Sequence, residues 1–125
     1  MTGGVLVDTS VWVQHFRDGI DGLAELLAAD RVLTHPLVVA EIACGTPPNR
    51  RRTLADLDCL QPTRQATVRE LLEFIEREQL FGQGCGFVDL SLLASTLMTT
   101  GAALWTLDGR LSRLAERFGV AHPSN

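Results

Sequence analysis

The strongest constraint on the fold of this chain is an alternation: short, wholly apolar runs are each followed by a longer stretch of helical periodicity. Val5-Leu6-Val7 is the first such run, too short for a helix and apolar on both faces. Strands of a parallel sheet covered on both sides have this character. Arg31-Val32-Leu33-Thr34 and Ala102 to Thr106 read as two more strands, Cys59-Leu60 as a weak one before Pro62, and Val120-Ala121 as a last edge strand. Helical patterns lie between them. Asp8-Thr9-Ser10 supplies an N-cap signal. Leu23, Leu26 and Leu27 form one apolar stripe. Pro36 opens a helix stopped by Gly45 and Pro47-Pro48. Asn49 to Leu57 reads as a short basic helix and Thr63 to Leu80 as the longest amphipathic one. Asp89 begins another helix, and Leu111 to Phe118 the last. The alternation predicts an α/β fold, a central, mostly parallel sheet flanked by helices. A length of 125 residues fits a single domain, 1–125, with one core.

Four acidic residues fall at the joints of this pattern. Asp8 ends the first apolar run, Asp108 follows the strand at 102–106, Asp89 opens an apolar helix, and Glu41 interrupts Val38 to Ala43. A carboxylate in apolar company is costly unless it is paired or holds a cation. The chain has no lysine; its 11 basic residues are all Arg. Taken singly, Asp8 and Asp89 read better as N-caps and Asp108 as a turn residue. For Glu41, about one and a half turns into its helix and expected to project inward, that reading is weak. Ligands of open parallel sheets bind beyond the carboxyl ends of the strands. Together the four acids favour a site for a hard divalent cation, Mg²⁺ or Mn²⁺.

Composition excludes several classes. Without lysine there is no P-loop, Schiff-base or acyl-phosphate chemistry. Gly3-Gly4 precedes its strand and is no dinucleotide fingerprint. No Gly-x-Ser-x-Gly elbow supports a serine hydrolase. Cys44, Cys59 and Cys85 form no Cys-x-x-Cys pair and read as free, mostly buried thiols of a reducing compartment. With no signal-peptide pattern, the expected location is cytoplasmic. The uncharged run Leu90 to Leu107 is punctuated by Ser, Thr and Gly, and reads as a buried helix and strand rather than a membrane span.

The ordered motifs carry a resemblance. Val7-Asp8-Thr9-Ser10-Val11-Trp12 resembles the opening motif of PIN-domain ribonucleases, in particular the VapC-type toxins of toxin–antitoxin pairs. Val39-Ala40-Glu41-Ile42 with Gly45 resembles their second motif. Gly86-Phe87-Val88-Asp89-Leu90 with Leu93-Ala94-Ser95 resembles the third, and Leu104-Trp105-Thr106-Leu107-Asp108 with Leu111 the fourth. The resemblance implies a three-layer PIN-like fold. It implies that Asp8, Glu41, Asp89 and Asp108 are the catalytic, metal-binding acids, with Thr9, Ser10 and Thr106 as accessory polar residues. It further implies Mg²⁺- or Mn²⁺-dependent endonucleolytic cleavage of RNA, leaving a 3′-hydroxyl and a 5′-phosphate. The implied partners are an RNA substrate, a second copy of the chain in a homodimer, and a small antitoxin covering the active-site groove.

A net charge of -4 runs against a nucleic-acid binder by bulk electrostatics. A local basic patch can still track an RNA backbone. Arg50-Arg51-Arg52 is the best candidate, with Arg110, Arg113 and Arg117 second; RNA contact, antitoxin contact and a solvated helix face are all open. His35, before Pro36, reads as a residue that opens a helix, and Trp12 and Phe16 as core or dimer-interface residues. Two alternatives stand beside the ribonuclease. Phosphate-transfer domains with acidic strand ends need a lysine that is absent here. A catalytically inactive PIN-like module would bind only a partner, and would have no reason to bind Mn²⁺ through four carboxylates.

Overall fold

A computed structural model describes residues 3–123. Its elements run β1 (Val5–Val7), α1 (Thr9–Asp18), α2 (Asp21–Ala28), β2 (Val32–Thr34), α3 (Pro36–Ala43), α4 (Arg50–Asp58), β3 (Gln61–Pro62), α5 (Val68–Glu78), α6 (Phe87–Met98), β4 (Ala103–Trp105) and α7 (Gly109–Arg117). The strands lie in the order β3-β2-β1-β4 and every pairing is parallel. Val5, Leu6 and Val7 are each no more than 1% exposed, so the central strand is covered on both faces as its sequence predicted. Helices α1, α3 and α4 pack together, as do α5, α6 and α7. Crossovers between parallel strands are right-handed as a rule, which puts the two groups on opposite faces of the sheet and gives the three-layer α/β fold.

The strand order decides where a site can form. The chain leaves β1 on one side, through β2 to β3, then crosses back to lay β4 on the other side of β1. A crevice opens at such a reversal, beyond the carboxyl ends of the strands. Asp8 follows β1 directly and Asp108 follows β4 within three residues, so both flank the reversal. At the opposite end the two backbones meet closely. A Cβ on Gly3 would stand 1.5 Å from the Gly101 carbonyl oxygen, so glycine is needed there for packing.

Helix α6 explains the uncharged run. Leu90 through Thr96 are all buried, and a helix buried all round carries no polar stripe. Among the described residues, no helix is long and apolar enough to cross a membrane.

Several boundaries differ from expectation. Strand β3 lies at Gln61–Pro62 rather than at Cys59–Leu60, paired through Leu33↔Gln61 and Thr34↔Pro62. Proline, lacking an N–H, is tolerated because β3 is an edge strand. Helix α5 starts at Val68, not Thr63, because Thr67 and Glu70 form a reciprocal capping box. Helix α6 starts at Phe87, with Gly86 as N-cap, so Asp89 is its third residue rather than its first. Helix α7 starts at Gly109 under the Asp108 cap. Residues 120–121 contribute only a parallel bridge, Leu104↔Ala121. The thiols are not mostly buried: Cys44 and Cys59 are exposed and Cys85 is half-buried. Both exposed thiols sit at the C-caps of short helices, where the chain turns at the surface.

Candidate active site

Asp8 is the best-held of the four acids. It is 6% exposed, and its backbone N–H donates to the Trp105 carbonyl at 2.9 Å, tying the end of β1 to the end of β4. Its Oδ1 accepts from the Thr9 N–H at 2.7 Å, the N-cap bond of α1. Its Oδ2 accepts from Ser10 Oγ at 2.8 Å and from Thr106 Oγ1 at 2.7 Å. Each hydroxyl is itself held. The Leu107 N–H donates to Ser10 Oγ at 3.0 Å, and the Asp108 N–H donates to Thr106 Oγ1 at 3.0 Å. Both hydroxyl protons point at Asp8, so the 3.4 Å approach of Ser10 Oγ to Thr106 Oγ1 is a contact and not a third hydrogen bond.

Asp108 is exposed and caps α7, its Oδ1 accepting from the N–H groups of Arg110 at 2.8 Å and Leu111 at 3.2 Å. The expectation that Glu41 projects inward is overturned. Glu41 is exposed on α3, at the edge of a groove shared with Thr9, Val13 and Pro47, and so needs no buried partner. Its contact to the rest of the site is the Thr9 hydroxyl, which donates to Glu41 Oε1 at 2.6 Å. Thr9 therefore joins two acids, by its N–H to Asp8 and by its Oγ1 to Glu41.

Asp89 is half-buried on α6. Burial lifts its carboxyl above the usual range, a backbone hydrogen bond at Gly86 opposes this, and the charges of Asp8, Asp108 and Glu41 lift it further. The four acids thus share one electrostatic neighbourhood. Among the described residues the ion pairs are Arg52–Asp56, Arg77–Glu78 and Arg117–Glu78, and none involves these four.

An uncompensated set of hard oxygen donors has the right chemistry for Mg²⁺ or Mn²⁺. Among the described residues, however, no three His, Cys, Asp or Glu side chains approach closely enough to share one ion. The two observations are compatible, because Mg²⁺ keeps several waters and often uses only one or two carboxylates.

Two features escaped the sequence. Cys85, in the glycine-rich loop before α6, lies beside the acids. Burial pushes its thiol up, Asp89 and Asp108 push it further, and Arg110 and Arg113 oppose them. The Arg110 side chain lies over the same loop: a Cβ on Gly84 would come within 2.6 Å of Arg110 Cδ. No signal in the lone cysteine pointed to that placement. The second is Arg50, whose guanidinium donates to the carbonyls of Ala43 and, at 3.2 Å, Gly45. It closes the C-terminus of α3, whereas Arg51 is exposed and Arg52 makes only a 3.9 Å surface pair with Asp56. His35 does open its helix: its Nδ1 accepts from the Leu37 N–H at 3.0 Å, and its Nε2 lies 3.1 Å from Ser95 Oγ. Trp12 is buried and stacks on Phe16 at 5.8 Å.

The comparisons with known proteins agree with this architecture. Residues 5–117 match the PIN domain family. Ribonuclease VapC32 of Mycobacterium tuberculosis, in strains CDC 1551 / Oshkosh and ATCC 25618 / H37Rv, is 42% identical to this chain over 117 residues, 94% of each protein. With a match over nearly all its length and four motifs in order, the chain belongs to the PIN-domain family, in its VapC-type branch.

Proposed function

We propose that this chain, taken as one domain over residues 1–125, is a metal-dependent endoribonuclease toxin that hydrolyses RNA phosphodiester bonds and is neutralised by a cognate antitoxin. The observation that carries this reading is the state of Asp8. A buried carboxylate is fixed by three hydrogen bonds at the end of the central strand, with three further acids near it and, among the described residues, no ion pair to any of the four. The relatives' name, Ribonuclease VapC32, supports the activity and the toxin class.

Asp8, Glu41, Asp89 and Asp108 would hold Mg²⁺ or Mn²⁺. When bound, such an ion supplies Lewis acidity toward the scissile phosphate and lowers the pKa of the attacking water. The chain's own groups prepare the place. Ser10 and Thr106 lock the Asp8 carboxylate in one orientation, and Thr9 holds Glu41 against it. Burial and the charges of Asp8, Asp108 and Glu41 raise the proton affinity of Asp89, and a bound cation would oppose that rise. Arg51 and Arg52 are exposed and available to an RNA backbone or an acidic partner surface, while Arg50 is committed to α3. A homodimer in the cytoplasm completes the proposal.

The test is cleavage of total RNA by antitoxin-free protein in Mg²⁺, Mn²⁺ or EDTA, beside Asp8→Asn and Glu41→Gln. Fragments that require metal and vanish in both variants are the expected result. One observation favours a second reading, a catalytically inactive partner-binding module: among the described residues no three carboxylates come close enough to share one ion. Absence of any Mn²⁺ binding by calorimetry, together with intact RNA, would establish that reading instead.

A further inference from the structure

On the reading of the four acids as a metal site, we infer that His35 is a positioning residue for that site: its ring braces α3, which carries Glu41, against α6, which carries Asp89.

His35 is 4% exposed and follows β2 as the N-cap of α3. It starts that helix with two groups. Its carbonyl accepts from the Val38 and Val39 N–H groups at 3.0 and 3.2 Å, and its Nδ1 accepts from the Leu37 N–H at 3.0 Å. An Nδ1 that accepts carries no proton, so the neutral ring holds its proton on Nε2. Burial keeps the ring neutral, holding its pKa below the usual histidine range. The Nε2–H therefore donates to Ser95 Oγ, 3.1 Å away. Ser95 lies on α6 and is fully buried.

This bond joins parts that the fold otherwise keeps apart. Helix α3 packs on α1 and α4, whereas α6 packs on α5, α7 and β4. Among the described residues, no other hydrogen bond links α3 or its cap to α6. The Thr9–Glu41 contact stays within the layer of α1 and α3. Beyond the sheet itself, one imidazole thus sets the helix of Glu41 against the helix of Asp89. Each acid lies six residues along its helix from the brace, Glu41 after His35 and Asp89 before Ser95. Six residues span about 9 Å of helix, so a tilt of about 6° at the brace shifts the backbone under a carboxylate by about 1 Å. That is large against the near-ideal geometry Mg²⁺ demands. Glu41 and Asp89 are loosely held as side chains; the brace acts on the helices beneath them.

Three variants divide the two duties of the ring. In His35→Asn the amide oxygen can replace Nδ1 as cap acceptor, and the reach to Ser95 is lost. In Ser95→Ala the cap stays and the acceptor on α6 is lost. In His35→Gln the amide N–H can replace Nε2–H, and the cap is lost. Mn²⁺ affinity is measured on the full chain by calorimetry, without RNA. His35→Asn and Ser95→Ala should each weaken Mn²⁺ roughly tenfold, the lower end for residues that orient metal ligands. The double variant should bind no more weakly than either, because both lose the same bond. His35→Gln should melt below the wild type for want of its cap, yet bind Mn²⁺ nearly as well. Leu26→Ala on α2 controls for stability alone: it should lower the melting temperature and leave Mn²⁺ affinity unchanged. By ¹⁵N NMR the wild-type ring should carry its proton on Nε2. A proton on Nδ1, or a Mn²⁺ affinity that simply tracks melting temperature across the variants, overturns the brace while the wild type still binds metal. A wild type that binds no Mn²⁺ overturns the metal reading, and the role of the brace with it. Should Ser95→Ala misfold, His35→Asn and the tautomer carry the test.

Discussion

The acidic edge has two halves built on different principles. In the β1–β4 half, Asp8 and Asp108 are locked: two backbone N–H groups feed two hydroxyls, both hydroxyls feed Asp8, and Asp108 caps a helix. In the α3–α6 half, Glu41 is exposed and reached only through the Thr9 hydroxyl, and Asp89 sits half-buried under the repulsion of its neighbours. The first half spends its acids on folding as well as on function. The second holds Asp89, whose cost the fold does not relieve, and that is where a cation has most to offer.

The sharpest way to break the contrast is to neutralise one acid in each half. Asp8→Asn and Glu41→Gln should each reduce RNA cleavage on the order of 10²-fold or more, since each removes a charge that would hold the metal. Stability should separate them. Asp8→Asn places an amide donor against either the Thr9 N–H or the pair of Ser10 and Thr106 hydroxyls, and should cost about 1–3 kcal/mol. In Glu41→Gln the amide oxygen still accepts from Thr9, and the change should stay within about 0.5 kcal/mol. Equal losses in urea denaturation would show that the two halves are equally structural.

A second pair sharpens the contrast without touching an acid. Thr106→Val removes the hydroxyl between the Asp108 N–H and Asp8, in a fully buried position, and should destabilise by about 1–3 kcal/mol. Thr9→Val removes a half-exposed hydroxyl whose partner can turn to water, and should cost less than about 1 kcal/mol while still lowering activity. A Thr9→Val protein that melts as early as Thr106→Val would count against a helix-borne half that is only loosely tied.

The same division governs what could be read from the sequence. The β1–β4 half was legible because its logic is local: apolar runs fix the strands, and Asp8 and Asp108 each stand at a strand end where a cap is needed. The Glu41 half was misjudged. Its apolar neighbours Val38, Val39 and Ile42 implied burial, but a helix has an outer face, and Glu41 and Ala40 lie on it. Periodicity alone does not say which single position of a nearly all-apolar helix meets solvent. Helix starts slipped where a capping signal was passed over, as with Thr67 and Glu70, or where glycine supplied the cap, as with Gly86. The hydrogen bonds into Ser10 and Thr106 come from backbone N–H groups, which carry no residue identity.

The pH dependence of stability should follow from Asp89. Its folded-state pKa lies above its unfolded value, so the folded chain holds the proton more tightly. That contribution is fully present below the ordinary carboxylate range and is lost as pH rises through the raised folded pKa. Metal-free protein should therefore melt lower as pH rises through that window. Asp89→Asn should flatten the fall, and saturating Mg²⁺ should raise the melting temperature more at neutral than at acid pH. A metal effect independent of pH, measured by thermal denaturation, would place the ion elsewhere than at Asp89.

The smallest expected effects test how far the basic helix belongs to the site. Arg50, bonded to the Ala43 and Gly45 carbonyls, neutralises the C-terminal end of the helix that carries Glu41. Arg50→Ala should cost about 0.3–1 kcal/mol and leave the salt dependence of RNA binding unchanged. Arg51 has no such duty. If it lies on an RNA phosphate, Arg51→Ala should leave stability within about 0.5 kcal/mol and lower the slope of log K against log salt by about 0.7, one single-strand phosphate contact. The binding is measured in a Glu41→Gln background, so that RNA survives the titration. A slope lost at Arg50 and kept at Arg51 would reverse the assignment, making the α3 cap the RNA contact and Arg51 a solvated charge.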